Sequence, residues 1–430
     1  MTPAISVLGL GKLGFPIAAC LAAKGFDVVG VDTNPRTLAR VADGAAPVAE
    51  PGLDPLWSAA RPRLRATDDA VAAVRDTGLT FVFVPTPSAP DGGFALDAVL
   101  DCCRRIGEGL RGKKERHVVV INSTVMPGAI DGRIRPALAS AGGRDFGLCY
   151  NPQFVALGSV VRDFLSPDFT LIGESDAEAG DRLEAVYARV LDRTSPVARM
   201  NLVNAELVKL ALNSYVTMKI SFANLVARLC ERLPGANADA VTAALGLDSR
   251  IGPKYLKGAL GYGGPCFPRD NAALAALARS CGVTDVLPQA TDAMNRAQIA
   301  WLAREVRRRT PPGARIAVLG LSYKPQTPVV DESQGLALAT ALAAEGAPVS
   351  VYDPAALNEA RRVLGSAVAY CASVEECIRD AGTIVVATPW EEFRDLPVTD
   401  GALVVDCWRI IDRRRLPATA RYLALGENLR

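Results

Sequence analysis

Apolar residues in the first 200 positions fall in short unbroken runs, separated by polar turns and by stretches of helical spacing. Ile5–Leu8, Val28–Val31, Phe81–Val84 and Val118–Ile121 are too short for helices and rich in β-branched or aromatic residues. Each predicts a strand. A strand buried on both faces reads as such a run, and repeated strand–helix alternation predicts a parallel sheet covered by helices. Phe169–Ile172 adds a further expected strand, and the segment closes near residue 200.

The pattern then changes. Val197 to Leu233 contains neither Gly nor Pro, and residues 204–233 repeat apolar positions at helical spacing until Pro234-Gly235. A helix this long far exceeds the usual length of about 11–12 residues, so it is expected to be a spine between domains or a dimer interface. Helical sequence continues towards residue 306, and Arg304–Gly313 reads as a basic, solvated helix end followed by a linker. Beyond it the opening pattern returns. ISVLGL at 5–10 is echoed by IAVLGL at 316–321, and VVGVDTNP at 28–35 by VSVYDPAA at 349–356, with Gly382–Ala387 and Ala402–Val405 as further strands. The expected fold is α/β: two Rossmann-like domains with parallel sheets, joined by a long central helix and a small helical domain. The expected boundaries are 1–200, 201–306 and 307–430.

Composition narrows the chemistry. Half of the 430 residues are hydrophobic and 22% are charged, ordinary for a soluble globular protein. The apolar runs are far shorter than the ~18 residues of a membrane span. No basic stretch precedes an apolar one at the amino terminus, so a cytoplasmic location is expected. A formal charge of +2 supplies no field for nucleic acid or a membrane surface, so neither is an expected partner. His117 is the only histidine, which excludes multi-histidine metal sites, and no Cys-x-x-Cys pair is present; no metal is expected. Standing just before VVVI, His117 reads as an exposed strand-start residue. The ten scattered cysteines read mostly as small buried hydrophobes in a reducing compartment. The chemistry must rest on Lys, Cys, Asp, Glu, Asn or a borrowed cofactor.

Three motifs carry such chemistry. Gly9-Leu-Gly11-Lys12-Leu13-Gly14 follows the first strand and opens a helical stretch, and Asp32 ends the next strand eighteen residues later. Gly9 allows the tight turn, Gly11 the approach of a pyrophosphate, and Gly14 close helix–strand packing. The carboxylate accepts ribose hydroxyls and repels a 2′-phosphate, so NAD is the expected cofactor. The second domain keeps only the first glycine, in Gly320-Leu-Ser-Tyr-Lys-Pro, so a related ligand such as a nucleotide sugar suits it better than a second dinucleotide. On the long helix, Glu206, Lys209 and Asn213 share one face. A buried lysine beside an amide would stabilise an oxyanion or act as an acid, while the same spacing also fits a salt-bridged solvent face. Finally, Gly261-Tyr-Gly-Gly-Pro-Cys266 places a cysteine at an expected helix start, with Asp270 one turn on. There the helix dipole favours a thiolate nucleophile, and a structural loop cysteine is the other reading.

These residues resemble the UDP-glucose/GDP-mannose dehydrogenase family over essentially the whole chain. The matching pieces are GLGKLG, VFVPTP at 82–87, NSTVMPG at 122–128, NPQF at 151–154, AELVKLALNSY on the long helix, RIGPKYLKGALGYGGPCFPRD at 250–270 and GLSYKP at 320–325. The resemblance implies oxidation of carbon 6 of a nucleotide-linked hexose, UDP-glucose before all, to a carboxylate with two NAD reduced. It implies that Cys266 attacks the aldehyde-level intermediate and passes through a thiohemiacetal to a thioester. Lys209 would stabilise the oxyanion, Asn213 orient substrate, Asp270 assist proton transfer, and Thr124 hold a water or the reacting oxygen. The implied cofactor set is Gly9, Gly11, Lys12, Leu13, Gly14, Asp32, Thr86 and Thr124. The implied substrate set adds Phe154, Tyr255, Leu256, Lys257, Gly263, Lys324 and Arg409, with Arg250 reaching a neighbouring subunit of a homodimer or higher homo-oligomer.

Three departures stand out. Gln153 occupies the place of a glutamate that assists water during thioester hydrolysis, and glutamine neither takes a proton nor carries charge. Leu157 replaces an acid found in many relatives, and Asp331 precedes Glu-Ser where relatives often place arginine. Slowed hydrolysis is therefore expected. A two-electron dehydrogenase releasing the aldehyde is the alternative enzymatic reading. A binding protein with lapsed chemistry is disfavoured by Cys266, Lys209, Asn213 and Asp270.

Overall fold

A computed structural model describes residues 4–142 and 144–428. The chain divides into two compact units, one up to Ala211 and one from Leu212 onward, with the boundary inside a helix that runs from Leu202 to Cys230.

The first unit holds an eight-stranded sheet: β1 (Ile5–Leu8), β2 (Val28–Val31), β3 (Leu64–Thr67), β4 (Leu79–Val82), β5 (His117–Ile121), β6 (Phe146–Tyr150), β7 (Thr170–Glu174) and β8 (Val197–Asn201). Their spatial order is β3-β2-β1-β4-β5-β6-β7-β8, and every pair is parallel except β6 with β7. The order reverses between β1 and β4, which creates a crevice at the carboxyl ends of those strands. The strand expected at Phe81–Val84 lies two residues earlier, although Phe83 N still donates to Leu8 O at 2.8 Å. Unbroken apolar runs are explained by two cores. Val118 and Val120 of β5 enter one, and Val119 and Ile121 enter the other.

The second unit repeats the plan. β9 (Arg315–Leu319), β10 (Val349–Tyr352), β11 (Ala369–Tyr370), β12 (Ala381–Val386), β13 (Leu403–Asp406) and β14 (Arg421–Ala424) run in the order β11-β10-β9-β12-β13-β14, all parallel. Ile316 and Val318 face one core, Ala317 and Leu319 the other. Helices Phe267–Ser280 and Val286–Arg309 precede this sheet in the chain. The sequence echo therefore marks two Rossmann-like units, with parallel sheets and a long helix between them in the chain. That helix starts two residues before the expected stretch and ends three before Leu233.

His117 corrects an expectation. It does begin a strand, but it is fully buried: Nε2 lies 2.7 Å from Thr80 Oγ1, and Lys113 Nζ donates to Nδ1 at 3.2 Å. Lys113 reaches over the strand start to the carbonyls of Val74 and Thr77 and covers the ring, which a local reading of the strand does not reveal. Burial, and then the Lys113 charge, hold the imidazole down to about 3. The folded protein keeps His117 neutral, whereas the unfolded chain binds a proton below its ordinary value of 6.5. This contribution to stability is complete above pH 6.5 and is lost as pH falls towards 3. Denaturant unfolding of wild type and His117→Gln at pH 7 and pH 5 is expected to show wild type losing about 2 kcal/mol relative to the variant. Parallel losses in both proteins would contradict the assignment.

Candidate active site

The turn after β1 explains its three glycines. Gly9 has φ +95°, and a Cβ there would lie 2.9 Å from Phe83 O, across the β1/β4 crevice. A Cβ on Gly14 would lie 1.8 Å from Gly9 O, so the helix Gly14–Ala23 could not approach the turn. Gly11 differs: a Cβ on it would have no atom within 4 Å. Packing therefore does not require glycine at 11, whereas a phosphate resting on the backbone does. Lys12 is exposed and Leu13 half-buried beside it, and the helix start offers free N–H groups. Asp32 stands at the same turn, accepting from Leu10 N through one oxygen and Asn34 N through the other, both at 2.8 Å. Each oxygen keeps a lone pair for a hydroxyl. The set fits a dinucleotide. Thr86 is buried and Thr124 half-buried; Thr86 follows β4, which borders the crevice, and Thr124 follows β5, the next strand in the sheet.

The long helix settles the open question about its polar face. Glu206, Lys209 and Asn213 are all buried, so this is no solvated salt-bridged surface. Glu206 accepts from Gly128 N at 2.6 Å and Ile130 N at 2.9 Å, tying the loop that carries Thr124 to the helix. Burial pushes its carboxyl up, and the two N–H donors oppose that. One turn on, Lys209 Nζ donates to Gln153 O at 2.9 Å and lies 4.8 Å from the centre of the Phe154 ring. The Gln153 side chain turns inward. Its Nε2 donates to Asn151 Oδ1 at 2.8 Å and Asn151 O at 3.1 Å, and lies 3.2 Å from the Tyr187 hydroxyl. Leu157 packs on the hydrophobic core, so no acid would fit there without losing that contact.

In the second unit, Asn213 Nδ2 donates to Asp270 Oδ2 at 2.6 Å. Asp270 is fully buried in the first turn of the helix Phe267–Ser280, with Arg269 3.3 Å from its other oxygen. Cys266 caps the start of that helix and is exposed. Eight of the ten cysteines are buried, and burial pushes each of those thiols up, Cys20, Cys102 and Cys149 to about 12. The other exposed cysteine, Cys281, caps the opposite end of the same helix. The positive end of the dipole faces Cys266 and the negative end Cys281, so the helix favours an anion only at 266.

Comparison with known proteins shows the family. Three consecutive parts of the UDP-glucose/GDP-mannose dehydrogenase family match: its NAD binding domain over residues 3–191, its central domain over 203–297 and its UDP binding domain over 317–413. The chain belongs to this family. It is 38% identical over 422 residues to the UDP-glucose 6-dehydrogenase AglM of Haloferax volcanii, covering 95% of this chain and 97% of the relative. It is 32% identical over 428 residues to the UDP-glucose 6-dehydrogenase TuaD of Bacillus subtilis, covering 98% and 91%. A solved UDP-glucose dehydrogenase from the hyperthermophilic archaeon Pyrobaculum islandicum superposes with a TM-score of 0.92 at 36% identity, covering 99% of this chain and 98% of that one. The chain is thus an NAD-dependent nucleotide-sugar 6-dehydrogenase.

The UDP-glucose/GDP-mannose dehydrogenase resemblance also pointed to residues dispersed over the second unit. Tyr255 has φ +62°, an uncommon conformation for an aromatic residue, and is half-exposed near the Phe267 ring. Leu256 beside it is buried, and Lys257 is exposed. Arg250 projects into solvent, paired with the neighbouring Asp248. Lys324 is half-buried 6.0 Å from the Tyr323 ring centre, and a Cβ on Gly263 would lie 2.2 Å from Glu332 O. Arg409, also at positive φ, spends its buried guanidinium on both oxygens of Asp239, at 2.8 Å each, and on Gly258 O at 2.7 Å. In the second unit the carboxylate ending β10, Asp353, is buried. It accepts from the backbone of Leu321, Ser322, Ala355 and Ala356 and from Trp390 Nε1. Its lone pairs are filled, which removes the ribose acceptor that Asp32 provides in the first unit.

Sequence reading gave Tyr187 and Glu50 no part in the site, and Asn151 only a place in the NPQF stretch. Glu50 accepts from Gly158 N at 3.0 Å and Val160 N at 2.7 Å, fastening the loop after Gln153. It comes from more than a hundred residues away, and no local pattern connects the two segments.

Proposed function

We propose that the chain oxidises UDP-glucose at carbon 6 to the glucuronate through covalent catalysis by Cys266. The observation that carries this reading is the placement of one exposed thiol at a helix start, with the buried Asn213–Asp270 pair in the helix's first turn. NAD, held by Gly9, Gly11, Gly14 and Asp32 with Lys12, Leu13, Thr86 and Thr124, supplies the hydride acceptor for both two-electron oxidations. The Cys266 thiolate forms a bond to carbon 6 of the aldehyde, giving a thiohemiacetal whose oxidation yields a thioester. Water then breaks the sulfur–carbon bond, releasing carboxylate and regenerating the thiol. Lys209 meets the developing oxyanion, Asn213 orients the hexose, Asp270 takes and returns protons, and Thr124 holds a water or the reacting oxygen. Phe154, Tyr255, Leu256, Lys257, Gly263, Lys324 and Arg409 line the sugar-nucleotide path, with Arg250 contributed across subunits.

The reading assigns cofactor binding to residues 1–200, helix-mediated assembly to 201–306 and nucleotide-sugar binding to 307–430. Homodimer formation is supported by an exposed apolar row on the long helix, Tyr215, Phe222, Leu225 and Leu229, at helical spacing. A cytoplasmic setting agrees with the cysteine usage, and among the described residues no helix is long and apolar enough to cross a membrane.

The deciding measurement is NADH formed per UDP-glucose consumed. The expected ratio is about two. A ratio near one with aldehyde released would favour the two-electron reading that Gln153 raises, and no NADH would leave only a binding protein.

A further inference from the structure

The second unit's glycine turn is not worn away but split. A Cβ on Gly335 would lie 2.1 Å from Gly320 O, the counterpart of the Gly14–Gly9 contact. Both later glycines then run 18 residues to a carboxylate ending the next strand, Gly14 to Asp32 and Gly335 to Asp353. The paired glycines are 5 residues apart in the first unit (14 − 9) and 15 in the second (335 − 320), so ten residues are inserted inside the turn. In the first unit the turn leaves Gly11 open to a ligand. In the second, the inserted stretch packs on the loop that leads to Cys266.

The contacts are close and specific. Gly264 N donates to Asp331 O at 3.0 Å, and a Cβ on Gly264 would lie 2.6 Å from the Tyr323 ring. Between the loop's glycines, the Tyr262 peptide is clasped from two helices. Buried Asn295 accepts from Tyr262 N at 2.8 Å and donates to Tyr262 O at 2.9 Å. Gln334 Nε2 donates to the same carbonyl at 3.1 Å and to Glu332 O at 3.3 Å. Both lone pairs of the Tyr262 carbonyl are thereby used, four residues before the thiol.

We propose that Asn295 and Gln334 are positioning residues for Cys266, and that the segment 322–333, which contains the insertion, has become the seat of the nucleophile's loop in place of a phosphate turn. This rests on the reading of Cys266 as nucleophile, and its test separates the two. Gln334→Glu keeps the shape but turns an oxygen towards two carbonyls. At pH 8 it is expected to lower kcat about 10-fold or more while KM for UDP-glucose stays within about 2-fold. Carbamidomethylation of Cys266 by iodoacetamide, read by peptide mass spectrometry with Cys281 as internal standard, is expected to change at least about 3-fold. Asn295→Asp is expected to act likewise; should it fail to fold, Gln334→Glu alone decides. Unchanged Cys266 labelling overturns the positioning role, and so does a raised KM at constant kcat, which would make Gln334 a substrate contact. Altered labelling with wild-type kcat upholds the clasp and removes Cys266 from the mechanism instead.

Discussion

Cys266→Ala is expected to reduce four-electron turnover at least about 10³-fold, with NADH per sugar falling from about two to one or fewer. The first oxidation, alcohol to aldehyde, needs no thiol on the proposed route, whereas the second needs a tetrahedral centre from which hydride can leave. Without Sγ that centre forms only by uncatalysed hydration of the aldehyde. Asn213, Asp270 and the NAD turn are untouched by the change, so binding of cofactor and sugar is expected to persist. Cys281→Ala is the matched control. It alters an exposed thiol at the other end of the same helix and is expected to leave turnover as it was. Wild-type stoichiometry in Cys266→Ala would end the covalent reading.

A long-lived covalent adduct is the second large effect. The amide of Gln153 is tied to both oxygens of Asn151 and lies beside the Tyr187 hydroxyl, so it neither takes a proton nor swings freely towards water. Leu157 supplies no acid, and His117 is buried and neutral beneath Lys113. The remaining carboxylate of the proposed set, Asp270, is held by Asn213 and Arg269. Intact-mass analysis after mixing wild type with UDP-glucose and NAD is expected to show the acyl group on Cys266. Gln153→Glu should clear the adduct and raise turnover at least about 10-fold, the lower range of what a general base contributes. In that variant the carboxylate faces two Asn151 oxygens that repel it, and the Tyr187 O–H already donates to Asn151 Oδ1 at 2.5 Å, so the carboxylate is driven to turn outward or to draw the phenol away from Asn151. Prompt wild-type turnover with no adduct would sink the idea.

Much of the architecture and part of the site could be read along the chain, because they rest on contacts between near neighbours. The Gly9–Gly14 turn is set by φ and by the clash of a Cβ with a carbonyl five residues away. The strands announce themselves because each is buried on both faces. Lys209 and Asn213 share a helix face by spacing alone, and Cys266 stands out because proline and glycines lead into a helix.

The tertiary structure decided the rest. Burial of the Glu206–Lys209–Asn213 face depends on which loops cover it, and the direction of Gln153 depends on Asn151 and a tyrosine 34 residues on. His117 looked exposed because nothing adjacent in sequence shows Lys113 folding back over it. The second glycine turn was hidden for the same reason: ten inserted residues separate Gly320 from Gly335, yet backbone contact reunites them. Local sterics and periodicity are written in neighbouring residues. Burial, side-chain direction and the pairing of distant amides exist only once the chain has packed.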